Sequence, residues 1–385
     1  MIPVRHALIA ALVALLCGCQ TVGDAYDRVF GGSKPKVPEL TPIKPTATAR
    51  ILWQANVGAA ERSVFYPAVT SGVVYAAGRS GRIVGFDATT GNPVASFEAE
   101  QRLSAGVGAG NNLIMVGSDQ GDLLAFNHQG QPAWQAKISG ELLAPPAADQ
   151  GIVVVRVGNN KINGLSVGDG KQRWAYERST PALSVRAHAG VVLYRGGVFA
   201  GFAGGRLLAL ALPTGAVGWE GVVALPRGTT ELERVADVTS LPVVDGTQVC
   251  AVAFQGRIAC FDMLRGTQRW ARAVSSSAGI AVDASYIYVA DDSGAVLALD
   301  KRSGASIWKQ SKLAGRDLSA PLGLGGHVVV GDIEGYVHIL SRASGAFEAR
   351  VATDGSAIVV PPVALGRTRF VVQTVKGGVF AITIE

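Results

Sequence analysis

The sequence predicts an all-β fold, an eight-bladed β-propeller with four antiparallel strands per blade. The ring is expected to close through the N-terminal strand, placed in the last blade. Three observations predict it: a strand–corner–strand motif that recurs along the chain, a line of aromatic residues at a blade-sized period, and two ends that complement each other.

The motif is clearest at Leu299-Asp300-Lys301-Arg302-Ser303-Gly304-Ala305-Ser306-Ile307-Trp308. Leu297 and Leu299 alternate with small residues, as the end of a strand should. Asp300 can accept hydrogen bonds from the backbone ahead of it and start a turn. Gly304 supplies the positive φ such a turn needs, and Trp308 opens the next strand with a large ring. The corner returns at Phe86 to Gly91, at Leu210 to Trp219 and at Phe261 to Trp270. Weaker copies run from Phe126 to Trp134 and from Leu165 to Trp174.

The aromatics are Trp53, Phe97, Trp134, Trp174, Trp219, Trp270, Trp308 and Phe347, with an average spacing of 42 residues. Phe97 and Phe347 are displaced by two residues relative to the others, and a shift of two keeps a side chain on one strand face. Both are therefore expected to occupy the tryptophan position. Hairpins such as Tyr286–Val289 with Val296–Leu299, turning at Asp291 to Gly294, bring each unit to four strands. The last unit runs through Val379 to Ile384 without a corner or a fourth strand, whereas Arg50 to Ala55 is an orphan strand. Pairing the two completes an eighth blade and removes an exposed edge.

Ahead of the ring, residues 1–18 read as an export signal: Arg5 and His6, then the apolar run Ala7 to Leu16. The segment ends in Leu16-Cys17-Gly18-Cys19, which resembles the bacterial lipoprotein box, so Cys19 is the expected lipidation site. Gln20 follows in place of the aspartate that, in enteric bacteria, retains lipoproteins in the inner membrane, which implies the outer membrane. Residues 19–48 carry Gly31-Gly32-Ser33 and Pro35, Pro38, Pro42 and Pro45, and read as a flexible tether. The propeller is expected over 49–385.

Cys250 and Cys260 sit on the two arms of one hairpin centred on Gln255. A three-residue turn sets them opposite each other, and a one-residue slip puts them on opposite faces. A disulfide and two free buried thiols are both open at this point. The net charge of +6 comes from singly scattered Lys and Arg, which is not a nucleic-acid pattern.

No catalytic site emerges. Gly164-Leu165-Ser166-Val167-Gly168 matches a nucleophile elbow, but it falls on a strand-to-strand corner instead of a strand-to-helix turn. Ser306 to Lys309 matches S-x-x-K inside a fourth strand. The histidines lack metal-ligand spacing, and His338, between Val337 and Ile339, reads as an ordinary strand residue. Asp119 to Asp122 and Asp291 to Gly294 read as hairpin turns without a calcium loop's ligand pattern. Neither a metal nor a cofactor is expected, and the chain is not expected to be an enzyme.

The repeat, with its Asp, Gly and Trp, resembles the pyrroloquinoline-quinone-type propeller repeat. Together with the lipoprotein box and tether it is similar to the BamB family, the outer-membrane protein assembly factors. That resemblance implies a lipid-anchored scaffold facing the periplasm. Its implied partners are the POTRA domains of BamA and the other subunits of the β-barrel assembly machine. It also points to two segments. Pro181-Ala182-Leu183-Ser184-Val185-Arg186 carries the family's aliphatic-x-aliphatic-Arg pattern in Leu183, Val185 and Arg186. Thr229 to Val238 includes Arg234 and Asp237; Asp237 matches an S-D-V-D-like run, while Thr239 departs from its second acid. Loops on a rigid scaffold are where partners bind, and an apolar pair beside an arginine suits an anchor. The rival reading places Leu183 and Val185 at the start of the fourth blade's first strand. Competing functions are a quinone-dependent dehydrogenase and an envelope ligand-binding propeller. A blade edge could also pair with a nascent barrel strand by β-augmentation.

Overall fold

The computed structural model describes residues 37–385 except 159, 180, 182 and 186–188. The expected signal segment and Cys19 lie outside the described residues. The compact unit runs from Leu40 to Glu385.

Apolar runs such as Val73–Ala77, Leu113–Gly117 and Ile152–Val157 form second strands buried on both faces. Outer strands such as Pro93–Glu98 and Gln172–Glu177 alternate instead, because one side meets solvent. The result is eight antiparallel sheets of four strands. Seven are contiguous, over 68–98, 108–137, 147–177, 192–222, 243–272, 279–310 and 322–352. The eighth combines Val363–Ala364, Arg369–Gln373 and Gly378–Ile384 with the N-terminal Ala49–Asn56. Ala49 pairs with Ile384 and Asn56 with Gly378, so the ring closes as the sequence predicts. A bulge separates Ile51 from Trp53, and the same bulge recurs in the outer strand of every other blade. The N-terminal strand is therefore a true fourth strand.

Among the described residues the core is divided into eight hydrophobic clusters, each between one blade and the next. The corners fasten these interfaces. Asp300 Oδ1 accepts from the backbone N–H groups of Arg302 (3.1 Å) and Ser303 (2.8 Å), which is the turn its position predicts. Gly304 has φ 72°, and a Cβ there would sit 2.5 Å from the ring of Trp270 in the preceding blade. The Trp270 indole N–H donates to the Lys301 carbonyl of the same corner at 3.0 Å. Trp53, Trp134, Trp174, Trp219 and Trp308 do the same to the carbonyls of Ala88, Val167, Leu212, Met263 and Arg342, at 2.7–3.2 Å.

Two boundaries differ from the sequence reading. Phe97 does pack on the next corner, at Gly130, but Phe347 does not take the tryptophan position. The bulge falls between Phe347, opposite Leu340, and Ala349, opposite Ile339. The extra residue turns Phe347 back towards the sixth blade, and Ala349 faces the eighth. The tether also ends earlier than residue 48. Thr46 and Ala47 donate to the Glu348 carbonyl, Thr48 and Glu385 exchange backbone bonds, and Arg350 holds the Thr41 carbonyl at 3.1 Å.

The hairpin register pairs Cys250 with Cys260, closing on a three-residue turn between Ala253 and Arg257. The two sulfurs are bonded, and both residues are buried in the interface between the fifth and sixth blades.

Candidate functional site: a clamped apolar rim

The two longest connections from an outer strand to the next inner strand build the site. The first joins Gln172–Glu177 to Val192–Tyr194. The second joins Val217–Val222 to Val243–Asp245. The fourth blade's first strand starts at Val192, so Leu183 and Val185 belong to no strand and the rival strand reading fails. Both side chains are open to solvent, at 43% and 37% of their full exposure.

Asp237, from the second connection, reaches under the first. Its Oδ2 accepts from the Val185 N–H at 2.7 Å, and its Oδ1 accepts from the Gly204 N–H at 2.9 Å. Its own carbonyl accepts from Phe254 N–H in the fifth blade at 2.8 Å. With 3% exposure, Asp237 is a buried carboxylate tying two connections and two blade turns together. Charge-assisted bonds to backbone donors are the strong kind, so the Val185 backbone is held in place.

Beneath Asp237 lies a residue the sequence reading missed. Arg156 interrupts the apolar run Ile152–Val157 and is itself buried. It donates to the Ala189 carbonyl and to Asn160 Oδ1, each at 3.2 Å, and its guanidinium stacks 4.9 Å above the Phe202 ring. Burial pulls its pKa down to about 10, while the Asp237 carboxylate works against that fall. A lone arginine inside an otherwise apolar strand was the available signal. Arg156 and Asp237 line a narrow cleft together with Ser184 and Val185.

Arg186 lies outside the described residues. Arg234 is exposed, and its side chain makes no hydrogen bond or ion pair among the described residues. The structure thus brings Val185 and Asp237 together, leaves Leu183 beside them on the same segment, and places Arg234 three residues ahead of Asp237.

The chemical motifs resolve into structure. Ser166 ends the strand Lys161–Ser166 at a corner, where its N–H donates to the Lys171 carbonyl. Asp291 Oδ1 accepts from Ser293 and Ala295 within a hairpin turn. Among the described residues no group of three or more His, Cys, Asp or Glu could hold a metal ion.

A rigid ring whose open apolar rim is clamped from below by a buried carboxylate has the build of a docking scaffold. Comparison with known proteins gives that class a family. The family described as "Outer membrane protein assembly factor BamB" matches residues 79–310. A protein of that name from Nitrosomonas eutropha is 43% identical, covering 98% of this chain and 94% of its own. One from Bordetella pertussis is 39% identical over 93% and 92% of the two chains. The crystal structure of BamB from Moraxella catarrhalis superposes with a TM-score of 0.80 at 26% identity, over 87% of this chain and all of the other. The chain belongs to the BamB family. A quinohemoprotein alcohol dehydrogenase from Comamonas testosteroni, at 12% identity and TM-score 0.70, shares the fold alone. The family's name is that of an assembly factor, not of an enzyme.

Proposed function

We propose that this protein is a non-enzymatic scaffold of outer-membrane protein assembly that docks the POTRA domains of BamA through the rim at Leu183 and Val185. Membership of the BamB family carries the assembly role and the association with the outer membrane. The observation that supports the docking site is the clamp: two apolar side chains stand open to solvent on a segment whose backbone is fixed by buried Asp237. Presenting apolar surface on a rigid segment does nothing for folding, and it lowers the entropy cost of association. Arg186 extends the same segment and Arg234 the neighbouring one. Cys19 supplies the lipid anchor that holds the ring at the periplasmic face.

Co-precipitation of BamA from outer-membrane fractions tests both parts. Cys19→Ser is expected to leave that fraction. Arg186→Ala and Leu183→Ala are expected to stay, keep the wild-type melting temperature and bind BamA roughly thirtyfold more weakly, a cost of about 2 kcal/mol. Asp237→Ala is expected to lose binding with some stability, since it takes the charged acceptor from two part-buried backbone donors, at about 1–3 kcal/mol. Wild-type binding by folded Arg186→Ala and Leu183→Ala together would rule out the site.

A further inference from the structure

Five residues ahead of Asp237 the second connection forms a single tight turn that carries an exposed Leu232. Thr230 and Glu233 make a capping box. Glu233 Oε2 accepts from Thr229 N–H (2.9 Å), Thr229 Oγ1 (3.0 Å) and Thr230 N–H (3.1 Å). In return the Glu233 N–H donates to Thr230 Oγ1 at 3.3 Å. The Arg234 N–H closes the turn on the Thr230 carbonyl at 3.2 Å. Gly228 lies against it with φ 132°, so close that a Cβ there would sit 2.3 Å from the Glu233 Cβ. These donors, Thr230 first, hold the Glu233 pKa down to about 2, so the carboxylate stays ionised and the box persists from neutral pH into mild acid.

Leu232, at the crest, is 69% exposed. No core contact explains it, because the buried stretch of this connection starts only at Val235. The backbone on either side of it is held by the capping box, and the side chain stands in solvent. Its flanks are charged and free. The side chains of Glu231 and Arg234 make no hydrogen bond or ion pair among the described residues.

We infer that Leu232 is a preorganised knob that inserts into an apolar socket on the same partner that covers Leu183 and Val185, with Glu231 and Arg234 meeting charges at the socket's rim. The inference rests on the docking reading above. Continuity carries it: Leu232 and Asp237 share one connection, and Asp237 is bonded to the segment bearing Val185. The occupant is therefore one protein surface spanning both connections. Because the turn is held before contact, little conformational freedom is lost on binding.

The test uses the full-length protein and the BamA POTRA domains, with affinities read by surface plasmon resonance. Leu232→Ser is expected to bind tenfold or more weakly with an unchanged melting temperature. Glu233→Ala removes the acceptor of the box, loosens the turn and is expected to weaken binding several-fold. In the Leu232→Ser background Glu233→Ala should have no further effect, since the box acts only by aiming the leucine. A box that merely stabilised the loop would give additive losses, which would overturn the inference. Wild-type binding by Leu232→Ser, with Arg186→Ala impaired, would overturn the knob and leave the docking site standing. Wild-type binding by both would end the two together.

Discussion

At the scale of single residues, His338 shows how much a strand position can hide. It is fully buried in the seventh blade, and its Nε2 lies 2.8 Å from Asp332 Oδ2. Arg350 Nε donates to its Nδ1 at 3.1 Å, so the Nε2 atom carries the ring proton and donates to Asp332. Arg316 Nε also donates to Asp332 at 2.7 Å, and its other end holds Glu334. Arg350 continues to the Thr41 carbonyl, so one chain of charges links the blade's interior to the docked N-terminal segment. A second ring proton would point at Arg350. Burial pushes the His338 pKa below its usual 6.5, and the Asp332 carboxylate only partly restores it. The folded protein therefore binds fewer protons than the unfolded chain as pH falls below about 6.5. Stability contributed by neutral His338 is present above that value and declines as pH drops towards the lowered folded pKa. We expect His338→Gln, whose amide can make both bonds, to flatten the dependence of melting temperature on pH between about 6.5 and 5. Equal slopes in wild type and variant would refute the assignment.

At the scale of elements, the corner and its tryptophan form the joint between blades. The aspartate starts the turn, the glycine leaves room for the ring, and the indole N–H takes the carbonyl that the turn exposes. Trp174 packs on Gly215 and donates to the Leu212 carbonyl at 2.8 Å. Trp174→Phe keeps an aromatic ring but strands that carbonyl, at about 1–3 kcal/mol. Trp174→Ala also opens a cavity, and about 3–5 kcal/mol is expected. Denaturant melts should order the three proteins wild type, Phe, Ala; a Phe variant as stable as wild type would mean the hydrogen bond contributes nothing. Phe occurs where the joint differs. After Phe97 the next corner, Asn127 to Gly130, is one residue shorter than the Asp87 to Gly91 type. Beyond the seventh blade no corner joins the third and fourth strands, because that pair comes from opposite ends of the chain.

At the scale of the whole molecule, closure decides stability. Each interface buries its cluster only if both neighbouring blades are present, and the N-terminal strand supplies Trp53 to the cluster between the eighth and first blades. The Arg50–Glu385 pair at this seam is exposed at 2.8 Å and adds little. The backbone ladder and Trp53 carry the seam. Deleting residues 49–57 is expected to lower the melting temperature by 10 °C or more, at roughly 2–4 °C per kcal/mol for a chain of this size. Deleting residues 20–36 is expected to leave it unchanged. Similar melting temperatures for both deletions would show that the ring does not depend on this strand.

Blade number and corner turns follow from the sequence by itself, because each rests on local chemistry that repeats, and ring closure follows from two chain ends that complement each other; the Cys250–Cys260 pairing stayed open until the folded hairpin set its register. A turn needs its Asp and Gly within five residues, and a strand alternates every two. The capping box at Thr230 and Glu233 was equally local and could have been read the same way. Other features needed the tertiary structure. Leu183 and Val185 could have opened a strand until the ring placed Asp237, some fifty residues on, beneath their backbone. Arg156 looks like a misplaced polar residue until the fold brings up the Ala189 carbonyl and the Phe202 ring, and His338 reads as an ordinary strand residue until the folded seventh blade sets Asp332 and Arg350 against its two ring nitrogens. Phe347 points the other way because one bulged residue reverses its face, and spacing alone does not reveal a bulge. Sequence encodes what neighbours along the chain do to each other; which side chain remains exposed for a partner is settled only when distant strands pack and cover the rest.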